Sequence, residues 1–278
     1  MKVSAIQMVS TPDLQVNLSS AQDLLRSAAS QGAELAVLPE YFCLLGHRDT
    51  DKLSIQESFG SGPIQRFLSA AARELGLWIV AGTVPVSTAQ DASPPDGSDR
   101  IFNTTLVYSP DGQCVARYDK IHLFQFDNGQ ECYDESRVLV PGRQPVVFEL
   151  ASRDGHCWRV GLSVCYDLRF PELYRAYALA GVDLMLVPSA FTYTTGSAHW
   201  EVLLRARAIE NLAFVVAAAQ GGRHENTRRT WGHSMLIDPW GGVIAQRDEA
   251  PGVVSAELDY ARITSCRAQL PALIHRVL

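Results

Sequence analysis

The chain has 278 residues, 47% of them hydrophobic and 19% charged. That balance is too apolar for a disordered chain, and the length supports a core without disulfide or metal staples. Lys and Arg number 24 against 30 Asp and Glu, a net charge of −6; with no basic run, a nucleic-acid footprint is excluded. The longest apolar stretch, Leu212 to Ala219, falls far short of the ~18 residues of a membrane span.

Strand-like and helix-like patterns alternate along the chain. Val3–Met8 reads as a strand rather than a leader, which would need an apolar core of ~7–15 residues, so a cytoplasmic protein is expected. Val16–Gln31 carries apolar residues at helical spacing, and Glu34–Leu38 is a short apolar run stopped by Pro39. Ile64–Leu75 is helical, with Gly76 at its end, and Leu77–Ala81 is a buried strand. The polar stretch 87–100, centred on Pro94-Pro95-Asp96-Gly97, reads as a surface loop insertion. Strands follow at Asn103–Tyr108 and Gln113–Tyr118 around the turn Pro110-Asp111-Gly112. The second half repeats the rhythm: strand Trp158–Cys165, helix Pro171–Ala180, strand Asp183–Val187, helix Trp200–Leu212 and strand Ala213–Ala219. Two more strands flank Pro239-Trp240-Gly241-Gly242, and 265–278 reads as a C-terminal tail. The six cysteines, at 43, 114, 132, 157, 165 and 266, show no Cys-x-x-Cys spacing, so no zinc or thioredoxin motif is expected.

The halves match each other. Gly32 to Glu40 (GAELAVLPE) parallels Gly181 to Ser189 (GVDLMLVPS), and Glu74 to Gly82 (ELGLWIVAG) parallels Glu210 to Ala218 (ENLAFVVAA). Two matches in the same order predict one α/β domain over 1–278 with a pseudo-twofold repeat, its sheets covered by helices on their outer faces.

Cys165 ends a strand just before a helix, at the carboxyl edge of a sheet where α/β proteins bind ligands. Backbone N–H groups at such a turn can hold an oxyanion; the competing reading is a plain buried thiol. None of the seven histidines stands in a protease-like signature with it. Glu40 follows Leu38-Pro39 at another strand end and is either desolvated and tuned as a base or simply solvated. Lys120 lies just past a strand, placed either to stabilise an oxyanion or as a surface cation. Glu135 has no local argument of its own.

Three segments, Leu38-Pro39-Glu40, Tyr118-Asp119-Lys120-Ile121-His122-Leu123 and Val164-Cys165-Tyr166-Asp167-Leu168-Arg169-Phe170-Pro171-Glu172, resemble in order the three signatures of the nitrilase superfamily of carbon–nitrogen hydrolases. The resemblance runs from Val3 to about Pro271. It implies a four-layer α-β-β-α sandwich dimerising through its helical layers, or a higher homo-oligomer. It implies a Glu40–Lys120–Cys165 triad with no metal and no cofactor. Glu135-Ser136 followed by Pro141-Gly142 is similar to the stretch that carries the family's further glutamate. In the implied mechanism Glu40 is the general base, Cys165 the nucleophile, and Lys120 with the Tyr166 N–H the oxyanion partners.

Cys-Tyr-Asp-x-Arg-Phe around the nucleophile resembles the Nit-type amidases rather than the true nitrilases, which carry Cys-Trp-Glu. Two branches are implied: ω-amidases acting on α-ketoglutaramate, and amidases that release α-ketoglutarate and cysteinylglycine from deaminated glutathione. The segments around His199–Ala208, Gln220–Glu225 and Trp231–Met235 look like the second. Residues 124–131 lack the expected Asp-Val/Ile…Pro-Gly run. Arg169 is the expected partner of a substrate carboxylate, or else pairs with Asp167 or Glu172. Thr195 and His199 are candidates for the acyl pocket, with His199 read at least as well as a helix-start residue satisfied by backbone; Arg223, Arg228 and Arg229 are candidates for the carboxylate of a peptide-like leaving group, or else plain surface charge. A non-catalytic scaffold remains the reading from another class; a protein freed from catalysis could lose any of Glu40, Lys120, Glu135 and Cys165, and all four are intact.

Overall fold

The computed structural model describes residues 1–88 and 99–277. Two sheets stack face to face. The first, of seven strands, has the order Gly252–Glu257, Lys2–Gln7, Leu35–Val37, Trp78–Val80, Ile101–Tyr108 and Val84–Ser87, with Cys114–Asp119 on the free side of Ile101–Tyr108. The second, of six, runs Val243–Gln246, Met235–Ile237, Phe214–Ala217, Leu184–Leu186, Cys157–Leu162, Val147–Ala151. Each has three parallel strands at its centre flanked by antiparallel ones.

Alternation assigns the faces. Val3, Ala5, Leu35, Val37 and Val80 join the second sheet in one core. Ile6, Ala36, Leu38, Ile79 and Ala81 point outward, under helices α1 (Leu14–Ser30) and α2 (Pro63–Leu75). Helices α3 (Pro171–Leu179) and α4 (Tyr193–Asn211) cover the second sheet, completing the four-layer sandwich. A last helix, α5, spans Tyr260–Gln269. Asp13 caps α1 by accepting from the amides of Gln15 and Val16, and α2 has Pro63 at its start and Gly76 in the left-handed region at its end.

The internal repeat extends to individual hydrogen bonds. Leu38 N donates to Val80 O at 2.9 Å, and its counterpart Val187 N to Val216 O at 2.9 Å. Glu34 N binds Lys2 O as Asp183 N binds Arg159 O. Each half's first parallel strand is flanked by a strand from the other half's end: Gly252–Glu257 beside Lys2–Gln7, Val147–Ala151 beside Cys157–Leu162.

Most sequence boundaries differ from the structure by one or two residues; three differ more. Helix α4 begins at Tyr193, not Trp200, because Gly196 masks its first turns; a Cβ there would overlap the Trp231 side chain, so the glycine marks close packing rather than a break. The strand expected to reach Cys165 stops at Leu162, and Cys165–Arg169 forms a 3-10 turn. Residues 265–269 of the expected tail belong to α5, which buries Cys266. Of the expected loop 87–100, Ser87 pairs with Ile101, and 89–98 lie outside the described residues.

Candidate active site

The Leu35–Val37 strand ends in Leu38-Pro39 and delivers Glu40 to the sheet edge, where it is buried. The loop behind it is seated on Gly82, whose φ of +52° favours glycine and where any Cβ would overlap the Pro39 carbonyl. Glu40 Oε1 accepts from Lys120 Nζ at 2.9 Å and from Asn103 Nδ2 at 2.9 Å, and Oε2 accepts from Ala190 N at 3.0 Å. Ala190 follows Ser189, the half-repeat counterpart of Glu40, so the two strand-end loops meet across the pseudo-twofold.

Lys120 follows the Cys114–Asp119 strand, and its side chain is fully buried. Its backbone N–H donates to Asn103 O at 3.0 Å, and its carbonyl accepts from Gly142 N at 2.8 Å. A Cβ on Gly142 would overlap the Asp119 carbonyl, which is why a glycine stands where the chain passes behind the lysine. Lys120 Nζ donates to both oxygens of Glu135, at 2.9 and 2.8 Å. Glu135 also accepts from Tyr41 Oη at 2.7 Å and from Phe124 N at 2.7 Å.

Cys165 has a φ of +50°, rare for a residue with a side chain and a mark of stored strain. The turn is held by Cys165 N donating to Pro188 O at 3.0 Å and by Asp167. Asp167 is buried and accepts from Val164 N at 2.8 Å, Tyr118 Oη at 2.7 Å and His122 N at 3.0 Å, with His122 Nδ1 at 2.7 Å. One carboxylate therefore ties the cysteine turn to both flanks of Lys120. The alternative pairing of Arg169 with Asp167 does not form, because these four contacts already occupy the carboxylate.

Burial raises the Glu40 carboxyl above its ordinary value, with Lys120 pulling the other way. Burial, then the charge of Glu40, holds the Cys165 thiol well above the normal range, so it keeps its proton at rest. Burial opposes the charge of Lys120, but Glu135 and Glu40 outweigh it and hold the ammonium well above its ordinary value. For Glu135, burial favours the neutral acid, yet Lys120 wins and its pKa falls. The result is a fixed cation between two carboxylates, one of them perturbed toward proton uptake, beside a protonated thiol.

Two chambers open from Cys165 and share Phe124, Ala190 and Thr192. The smaller is lined by Tyr166, Arg169, Phe191 and Thr195. Arg169 lies 5.8 and 5.5 Å from the ring centres of Tyr166 and Phe191. His199 lines neither chamber; it is exposed on α4, with Nδ1 3.3 Å from Arg169 Nη1. The larger is lined by Glu40, Tyr41, Lys52, Tyr133, Glu135, Arg228 and Arg229, among others. Arg223 is exposed and lines neither. Sequence reasoning missed Tyr41, Lys52 and Asn103; the place of Tyr41 next to Glu40 and the polar run Asn103-Thr104-Thr105 inside an otherwise apolar strand are faint signals. Among the described residues no cluster of His, Cys, Asp and Glu could hold a metal ion, and no helix is long and apolar enough to cross a membrane.

The chain is similar to known proteins in sequence and in fold. A Synechocystis protein named deaminated glutathione amidase is 41% identical over 276 residues, covering 99% of this chain and 97% of its own. The human protein of that name is 40% identical, over 99% of this chain and 81% of its own. The crystal structure of Saccharomyces cerevisiae Nit3, a member of branch 10 of the nitrilase superfamily, superposes with a TM-score of 0.83 at 30% identity, covering 98% of this chain and 94% of its own. The carbon-nitrogen hydrolase family matches residues 2–268. With that match running from the first strand into α5, the chain belongs to the carbon–nitrogen hydrolase family.

Proposed function

We propose that the protein hydrolyses the amide bond of deaminated glutathione, releasing α-ketoglutarate and cysteinylglycine through a thioester on Cys165. The observation that carries this reading is the buried Glu40–Lys120–Glu135 chain of charges beside the strained Cys165 turn. Glu40 takes the thiol proton as sulfur attacks the amide carbon. The oxyanion forms against Lys120 Nζ and the Tyr166 N–H in the first turn of Cys165–Arg169. Glu40 returns the proton to the departing nitrogen, and the C–N bond breaks. A water, deprotonated by the same carboxylate, then attacks the thioester, and the thiol leaves with its proton restored. Glu135 positions Lys120. Arg169, with Thr195 beside it, faces the acyl carboxylate in the smaller chamber, and His199 acts only through Arg169.

A homodimer through the helical layer follows from exposed apolar residues on one side: Leu179 at 63%, Val202 at 68%, Ile209 at 46% and Trp240 at 50% exposure. We assign the protein to the cytoplasm, a reading supported by six unpaired cysteines, three of them exposed.

The test is release of α-ketoglutarate from deaminated glutathione and from α-ketoglutaramate side by side, with Cys165→Ala as the blank. A strong preference for the first supports the proposal. Preference for α-ketoglutaramate assigns an ω-amidase instead, and turnover of neither refutes both.

A further inference from the structure

We propose that Lys52 is the residue that selects an anionic leaving group, taking the carboxylate at the far end of the departing amine. This rests on the amidase reading and assigns a subsite within the same cavity.

Charge geometry leads to it. Of the arginines that could bind a leaving-group carboxylate, Arg228 donates to Asp49 Oδ1 at 2.8 Å, and Arg229 holds both oxygens of Glu249, at 2.8 and 3.1 Å. Arg223 is outside the cavity. Lys52 also lines the larger chamber, yet among the described residues no carboxylate lies within ion-pair distance of its Nζ; the ammonium rests over the Tyr41 ring, 4.3 Å to the centroid, and feels Glu135 and Asp49 only from further off. A half-buried ammonium resting on an aromatic face is weakly compensated for lost hydration. A ligand carboxylate would supply what the protein does not.

The chambers decide which carboxylate. Glu40 lines the larger one and not the smaller. Since Glu40 hands the proton to the departing nitrogen, the leaving group occupies Glu40's chamber, where Lys52 stands. The acyl part, with its own carboxylate, falls to the smaller chamber and Arg169. Lys52 is also preset. It rides on the 3-10 turn Asp49–Ile55, anchored where Asp51 accepts from Arg48 N at 3.0 Å and where Arg228 grips Asp49. Asn226 Nδ2 donates to Gly46 O at 2.6 Å and ties down the chain leading into the turn. A lysine held in place loses less entropy on binding than a free one.

The test uses two amides of α-ketoglutarate's γ-carboxyl, one with glycine and one with glycinamide as the leaving amine, which differ only in charge. The wild-type enzyme should favour the glycine amide. In Lys52→Met the ratio of kcat/KM for glycine over glycinamide should fall by about 10- to 100-fold, the range of a charge-assisted bond, and Lys52→Arg should recover part of it. No preference in the wild type, or an unchanged ratio in Lys52→Met, overturns the assignment. A second measurement needs no turnover: protection of Cys165 from iodoacetamide, read by peptide mass spectrometry, with glycylglycine against glycylglycinamide. Stronger protection by glycylglycine that is lost in Lys52→Met supports the subsite even if deaminated glutathione proves not to be the substrate. Equal protection overturns it.

Discussion

Replacing Glu135 by Gln separates charge from shape at the centre of the site. Four hydrogen bonds converge on this carboxylate: two from Lys120, one from Tyr41 and one from Phe124 N–H. A glutamine offers one acceptor oxygen and one NH2. The less costly orientation keeps the oxygen on Phe124 N–H and turns the Tyr41 hydroxyl into an acceptor. Lys120 then loses one of its two bonds, and the other becomes neutral at the acceptor. Bonds to charged groups contribute ~1.5–3 kcal/mol each, so we expect a stability loss of about 2–4 kcal/mol by urea unfolding. Activity should fall more, about 10²–10³-fold in kcat, because Glu40 is then the only charged partner holding Lys120. The pH profile gives an independent reading. Glu135's charge is among the influences raising Glu40, so removing it lets Glu40 ionise at lower pH. If Glu40 acts as the base, the rate rises with pH through its ionisation, and the acid limb of kcat/KM should move to lower pH. A Glu135→Gln enzyme within threefold of wild type, or one whose acid limb stays in place, would refute a positioning role for Glu135.

Three further outcomes are expected. Cys165→Ala should abolish α-ketoglutarate release and leave the circular dichroism spectrum and urea midpoint nearly unchanged; residual turnover above a few percent would sink the covalent mechanism. Gly142→Ala forces a methyl into the Asp119 carbonyl behind Lys120 and should cost about 1–3 kcal/mol and at least tenfold in kcat, so a variant normal in both would show that this contact does not hold the lysine. Val202→Glu combined with Ile209→Lys should give a monomer in sedimentation velocity where the wild type is a dimer; an unchanged sedimentation coefficient would move the dimer face elsewhere.

The elements with strong periodicity were legible from residues alone, and so was the strand end that carries Glu40; the strand before Cys165 stops at Leu162, short of where its pattern puts the end. Pro39 and Pro188 end their strands at equivalent places, and the repeat could be aligned through them. Less legible was anything set by distant packing. The full reach of α4 was hidden because Gly196 reads as a breaker until Trp231 is seen against it. The hairpin Gln125–Asp127 with Cys132–Asp134 was hidden because its strands are too short to show a period. Asn103 looked like any polar residue in a half-buried strand, although its side chain holds Glu40. Lys52 was missed, since nothing local in the sequence shows that no carboxylate pairs with it. The triad's meeting depends on contacts between residues 80 and 150 positions apart, Lys120 to Glu40 and Glu40 to Ala190, which no local pattern encodes.

The exchange of edge strands between the halves has a consequence for how the molecule matures. Lys2–Gln7 is paired residue for residue with Gly252–Glu257, from Lys2 opposite Glu257 to Gln7 opposite Gly252. During synthesis the first strand therefore waits for nearly the whole chain before its outer edge is covered. An open edge of this kind invites pairing with other chains, and contacts so distant in sequence form slowly. Neither half can close its sheet alone, and Glu40 and Lys120 come from one half while Cys165 and Ala190 come from the other. The candidate site is therefore assembled only when the two halves pack against each other, and a fragment holding one half would carry only part of it.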